Sequence, residues 1–218
     1  MIPLFKSHYS VGKSIMTVEK IFDRPDETIV VVEDSLSGFR RLNNARKEFN
    51  KKLIFGLRID VKSDSEPSKV VFFAKNDDGF KALKKINNKA AIEGNGVYTL
   101  DIRDLKDIDV TIPFYDSYLH KNIHNFGMHH LDLNDIDVTY FEESNDHPFD
   151  FFIKKELRRL KVNTMLVKSV YYEHTEDFKA FQFFKAICNR NRPPTFDNPR
   201  LNHLCSDKFS YQSCKNTE

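Results

Sequence analysis

The chain reads as a single α/β domain, and three observations carry that expectation. Apolar runs of strand length alternate with segments that repeat at helical spacing. One run, Ile29-Val30-Val31-Val32, is apolar throughout, as suits a strand covered on both faces of a parallel sheet. No shift in composition interrupts the alternation across 218 residues, a length that buries a sizeable core without needing an internal linker.

Met1 to Ser7 and Glu27 to Val32 read as the first two strands, with a short helix between them. After Glu33-Asp34-Ser35, residues Leu36, Phe39, Leu42, Ala45 and Phe49 recur at helical spacing, and Arg40, Arg41, Lys47 and Glu48 fall mostly on the other face. Strand Lys52 to Val61 follows. The turn-forming cluster Ser63 to Ser68 joins it to a buried-type strand, Val70 to Ala74, which predicts a hairpin. Asn76 to Ile92 is helical, with Phe80, Leu83, Ile86 and Ala90 on one side and lysines on the other. Gly94-Asn95-Gly96 breaks that pattern before strand Val97 to Leu100, a short acidic helix near Arg103 to Lys106, and strand Val110 to Phe114. The remaining units are helix Ser117 to Asn125, strand Asp137 to Phe141, helix His147 to Leu160, strand Asn163 to Val170 and helix Thr175 to Asn189. Arg192-Pro193-Pro194 stops the last helix, because proline lacks an amide donor and restrains its predecessor. Residues 1–192 are therefore assigned to the domain, and 193–218 to a C-terminal tail packing on it or extending from it.

Composition narrows the function classes. The 20 Phe supply aromatic bulk for a core, while 30% charged residues place the chain among globular rather than disordered proteins. A net charge of +2 gives no global attraction for nucleic acid or membrane, so any nucleic-acid surface must be local. Cys188, Cys205 and Cys214 lack Cys-x-x-Cys spacing and read as free thiols in a reducing compartment. Charge at Lys6 comes too early for a secretory signal, and no stretch reaches the ~18 apolar residues of a membrane span, so the cytoplasm is expected, or a host's cytoplasm for a viral chain. The abundance of Lys, Asn and Phe suits an AT-rich genome.

Leu166 to Ile187 is the most informative stretch. An apolar run closes on Lys168-Ser169-Val170-Tyr171-Tyr172, crosses Glu173 to Glu176 and opens a Phe-rich helical pattern. Further segments keep company with it: Leu4 to Ser10, Val31 to Phe39, Leu53 to Arg58, Tyr140-Phe141-Glu142 and Asp207 to Tyr211. The most specific is Val71-Phe72-Phe73-Ala74-Lys75-Asn76-Asp77-Asp78-Gly79-Phe80-Lys81-Ala82-Leu83. In order and spacing these resemble the polymerase and histidinol phosphatase (PHP) domain of bacterial DNA polymerase III alpha subunits, here in stand-alone form.

The resemblance implies a distorted seven-stranded (β/α)7 barrel with its site at the carboxyl ends of the strands. Metal-competent members hold up to three ions there with His, Asp and Glu, since carboxylates offset cation charge and imidazoles complete the coordination. In this chain the former ligand positions read Leu4 and Lys6 in the first motif, Asp34 and Ser35 in the second, Arg58 in the third, and Ser169 and Tyr171 in the last. One carboxylate survives, and three cations, Lys6, Arg58 and Lys168, lie near the expected pocket. Cations there can neutralise retained carboxylates, so Lys6 or Arg58 is expected to pair with Asp34, Glu33 or Glu142. No metal or other cofactor is expected.

The reading that follows is a non-catalytic scaffold or binding component of DNA replication or repair, with replication proteins or polymerase subunits as partners. One alternative is a phosphoesterase or 3′ to 5′ exonuclease using Mn, Zn or Mg, rebuilt around a pocket of Asp34, Glu142 and His8. Another is a phosphate or DNA-end binding module using Lys6, Arg58 and Lys168.

Other clusters read as structural. His120, His124, His129 and His130 include one i, i+4 pair, which binds metal only with a further ligand such as Asp116, Asp132 or Asp135. Asp101, Asp104, Asp107 and Asp109 lie among Arg103 and Lys106 and read as a solvated face. Gly12-Lys13-Ser14 lacks the first glycine and spacing of a phosphate loop.

Overall fold

Leu4 sits between Val30 on one neighbouring strand and Ser169 on the other, so the first strand of the chain closes a sheet onto its last. The computed structural model describes residues 1–62, 66–124, 130–145, 150–188 and 207–215. Its strands are β1 (Ile2–Phe5), β2 (Thr28–Glu33), β3 (Lys52–Lys62), β4 (Ser68–Ala74), β5 (Val97–Thr99), β6 (Ile108–Ile112), β7 (Val138–Glu143) and β8 (Thr164–Val170). Seven of them close in the order β2-β1-β8-β7-β6-β4-β3 and back to β2, while β5 pairs with the far end of β3 outside the ring. The helices are α1 (Val18–Phe22), α2 (Phe39–Glu48), α3 (Asp77–Ile92), α4 (Tyr118–His124), α5 (Asp150–Leu160), α6 (Phe178–Cys188) and α7 (Gln212–Lys215).

The result is a mixed α/β architecture around a closed seven-stranded barrel, and it departs from regular (β/α)7 alternation. Six strands run parallel, but β4 is antiparallel to both neighbours, β3 and β6. Strands β3 and β4 are consecutive in the chain and pair as a hairpin, Val61 with Ser68 through Gly56 with Phe73, which makes β4 antiparallel to the rest. Gly56 lets the two strands approach, since a Cβ there would lie 2.6 Å from the Phe73 ring. The acidic segment before β6 forms a single 3₁₀ turn at Ile102–Asp104, and β6 stops before Pro113, which has no amide to donate. Helix α5 is described from Asp150, so the expected start at His147 lies outside the described residues, as does the proline stop at 192–194.

Burial follows the two periodicities. Leu42, Ala45, Leu83, Ile86, Ile153 and Leu157 form the buried stripes of α2, α3 and α5. Inside the ring, Leu4, Val32, Val71 and Phe141 meet from different strands. Residues 207–215 return to the barrel: the Tyr171 amide donates to the Phe209 carbonyl at 2.9 Å, and Phe209 is fully buried. Among the described residues no helix is long and apolar enough to cross a membrane.

Candidate functional site

The carboxyl ends of the parallel strands bring a polar network into an otherwise apolar barrel. Lys6 extends the inward row of β1 beyond Leu4 and is 4% exposed. Its Nζ donates to Asp34 Oδ1 at 2.7 Å, joining β1 to the end of β2. Arg58 lies one residue past the last β2–β3 pair, Glu33 with Leu57. Its guanidinium donates to Asp116 Oδ2 at 2.7 Å and to the Tyr115 carbonyl at 3.2 Å, and lies 3.7 Å from Asp34 Oδ1. Asp116 has a φ of 63°, a left-handed conformation that Asp tolerates better than most residues.

Opposite these pairs, Glu143 at the end of β7 is 3% exposed. It accepts from the Ser169 amide at 2.9 Å, from Ser169 Oγ at 2.5 Å and from Asn145 Nδ2 at 2.8 Å, joining β7 to β8. Tyr115 donates its hydroxyl to the buried Asp150 at 2.7 Å. Tyr171 stacks between Phe181 and Phe209, with centroids 5.8 and 5.2 Å away.

Electrostatics follow from this packing. Burial lowers the Lys6 pKa to about 8, with Arg58 adding to the effect and Asp34 opposing it. Burial also resists ionisation of Asp34, but Lys6 and Arg58 outweigh it and hold the carboxyl below its usual range. Burial pushes Glu143 up to about 7, reinforced by nearby Asp150 and opposed by the Ser169 donors. The cavity left among these groups measures about 40 Å³. It is lined by apolar residues together with Lys6, Arg58, Glu143, Ser169 and Tyr171. That volume admits water but little more.

Several sequence expectations meet here and others do not. Lys6 and Arg58 converge on Asp34, and Leu4, Ser169 and Tyr171 line the same cavity. Glu142, however, is on the outer side of β7, and the neighbouring Glu143 is the carboxylate that enters the barrel. Lys168 faces the opposite side of β8 from Ser169 and is buried outside the cavity, where its charge acts on Cys214. Strand alternation forces both outcomes. His8 is exposed, stacks on Tyr9 at 4.5 Å and approaches the Met16 carbonyl through Nδ1 at 3.3 Å, so it does not join the pocket. Ser35 is bonded to Ser37 in the loop after β2. Glu33 turns from the cavity, accepting from the Ser7 amide at 2.8 Å and from the Ser10 hydroxyl.

The secondary clusters also resolve. His120 packs edge-on against Tyr115 at 5.8 Å and His130 is exposed; His129 and the His124 side chain lie outside the described residues, as does Cys205. Asp104 is buried rather than solvated, held by Lys85, Lys89 and the Tyr98 hydroxyl. Ser14 bonds the Lys6 and Tyr171 carbonyls, which gives Gly12-Lys13-Ser14 a structural role. Cys188 and Cys214 are free thiols.

Sequence reading missed Glu143, Tyr115 and Asp150, and considered Asp116 only as a helper to histidines. Position was the available signal: Tyr115 and Asp116 follow β6 at the barrel end where Asp34 follows β2. A metal centre fits this donor set poorly. The surviving carboxylate is already neutralised by an ammonium and a guanidinium, and among the described residues no three His, Cys, Asp or Glu side chains form a ligand cluster.

No protein-family model matches this chain, and no curated protein matches it. Among solved structures, it is similar to an amidohydrolase from Chromobacterium violaceum, with 16% identity and a TM-score of 0.31. The match covers 42% of this chain and 34% of that protein, so the chain spans about a third of that protein's length.

Proposed function

We propose that this chain is a PHP-type barrel in which fixed ion pairs stand where a metal centre would be, and that it serves as a non-catalytic scaffold or binding component in DNA replication or repair. The observation that carries the non-catalytic reading is the Lys6–Asp34–Arg58–Asp116 chain of charges at the carboxyl end of the barrel. It links β1, β2, β3 and the loop after β6, while Glu143 links β7 to β8. Groups spent in this way brace the barrel and, among the described residues that line it, leave no carboxylate pair free to hold an attacking water. The replication or repair setting rests on the resemblance of Val71 to Leu83 and Leu166 to Ile187.

The test is incubation of the purified chain with a labelled oligonucleotide and Mn, Zn or Mg. The expected result is an intact oligonucleotide at every metal concentration. Metal-dependent cleavage that disappears in Asp34→Ala would overturn the proposal in favour of a phosphoesterase.

A further inference from the structure

Helix α5 ends in a run of cations that continues to Lys161. Residues 154–161 carry five cations against one carboxylate, in a chain whose whole net charge is +2. Lys154, Lys155, Arg158 and Lys161 make no ion pair among the described residues, and Arg159 pairs with Glu156 at 2.6 Å while remaining 68% exposed. The same helix presents Phe151 and Phe152 to solvent, 62% and 53% exposed. Their rings meet edge-on at 5.7 Å.

Helical geometry puts these groups together. Ile153 and Leu157 anchor α5 on the barrel. On the far side, Phe151, Phe152, Lys155, Arg158 and Arg159 fall within roughly 120° of arc at 3.6 residues per turn. Aromatic faces beside unpaired cations suit a polyanion that also carries flat apolar rings. In duplex DNA the bases are already stacked, whereas single strands offer theirs to aromatic side chains. An anionic membrane is a poorer match, because the apolar stripe of this helix is committed to the barrel and two phenylalanines remain to enter lipid.

We propose that the outer face of α5 binds single-stranded nucleic acid, the cations holding phosphates and Phe151 and Phe152 stacking on bases. This surface is separate from the barrel pocket and does not depend on how that pocket is read. The experiment is fluorescence anisotropy with a labelled oligo(dT), run against a duplex of equal length and against vesicles of phosphatidylserine and phosphatidylcholine. The single strand should bind tightest. Three phosphate contacts, from Lys155, Arg158 and Arg159, imply that raising salt from about 50 to 200 mM weakens binding roughly twentyfold, from a slope of about −0.7 per contact.

Arg158→Glu with Lys155→Glu should abolish binding and flatten the salt dependence. Phe151→Ala with Phe152→Ala should weaken it about thirtyfold or more at unchanged salt slope. Circular dichroism checks that each variant is folded; since all four positions are exposed, the fold should survive. Arg58→Glu, in the barrel pocket, should leave oligonucleotide affinity unchanged if folded. The proposal is overturned by absent binding at about 50 mM salt, by full affinity in the charge-reversed variant, or by vesicle binding without oligonucleotide binding.

Discussion

At the scale of single residues, Asp34 and Lys6 are unequal partners. Lys6 is buried beside a second cation, whereas Asp34 keeps 26% side-chain exposure and a second neighbour in Arg58. Removing Asp34 therefore strands a buried charge, while removing Lys6 leaves a carboxylate with both Arg58 and water. Asp34→Asn should cost about 3 kcal/mol and Lys6→Met distinctly less, as read by urea unfolding. Equal losses would contradict this account. The pH dependence gives a second check. A lysine whose folded pKa is depressed burdens the fold while charged, and the burden lifts as pH rises through that pKa. The Asp34→Asn deficit should thus shrink as pH rises toward about 8 and be smallest above it.

At the scale of elements, α3 shows how much the sequence disclosed. Asn76 caps the helix by accepting from the Gly79 amide at 2.9 Å, and Asp77 and Asp78 fill the first turn. Gly79 is required by contact rather than by conformation, because a Cβ there would lie 2.2 Å from the Asp107 carbonyl. Asn76→Ala should lower stability by about 1 kcal/mol. Gly79→Ala should cost more, about 3 kcal/mol, because the helix must lift from the turn before β6. A thermal-melting series that reverses this order would refute the packing argument.

Helix and strand positions along the chain were legible because period and capping are local. Strand phase was not. Tyr140 and Phe141 are both buried, as are Val167 to Val170, since these strands face the barrel interior on one side and covering segments on the other. With no alternation to read, Glu142 and Glu143 could not be told apart, and Lys168 could not be set against Ser169. The hairpin after β3 was visible in its turn residues, yet regular (β/α)7 alternation would have excluded it.

At the scale of the whole molecule, the buried acids set a pH optimum. Glu143 titrates at about 7 when folded against 4.5 otherwise, so it favours the fold while protonated. That contribution is complete below the unfolded value and fades as pH rises through 7, a loss of about 3 kcal/mol. Asp34 acts oppositely, supporting the fold above its ordinary pKa of 3.8 and withdrawing that support in stronger acid. Glu143→Gln keeps the shape of the neutral acid and an oxygen to accept the Ser169 amide. It should raise the melting temperature more at pH 8 than at pH 5; an equal change at both would show that Glu143 does not govern the profile.

The closure of β1 on β8 also sets the timing of assembly. Leu4 and Ser169 lie far apart in the chain, and joining them restricts a very long loop. Hairpin β3–β4 can form as soon as it leaves the ribosome, but the interior charges cannot be enclosed until β8 has been made. Until β8 has been made, Lys6 and Asp34 therefore remain in water, and the slowest folding step is expected to be the one that withdraws them from it.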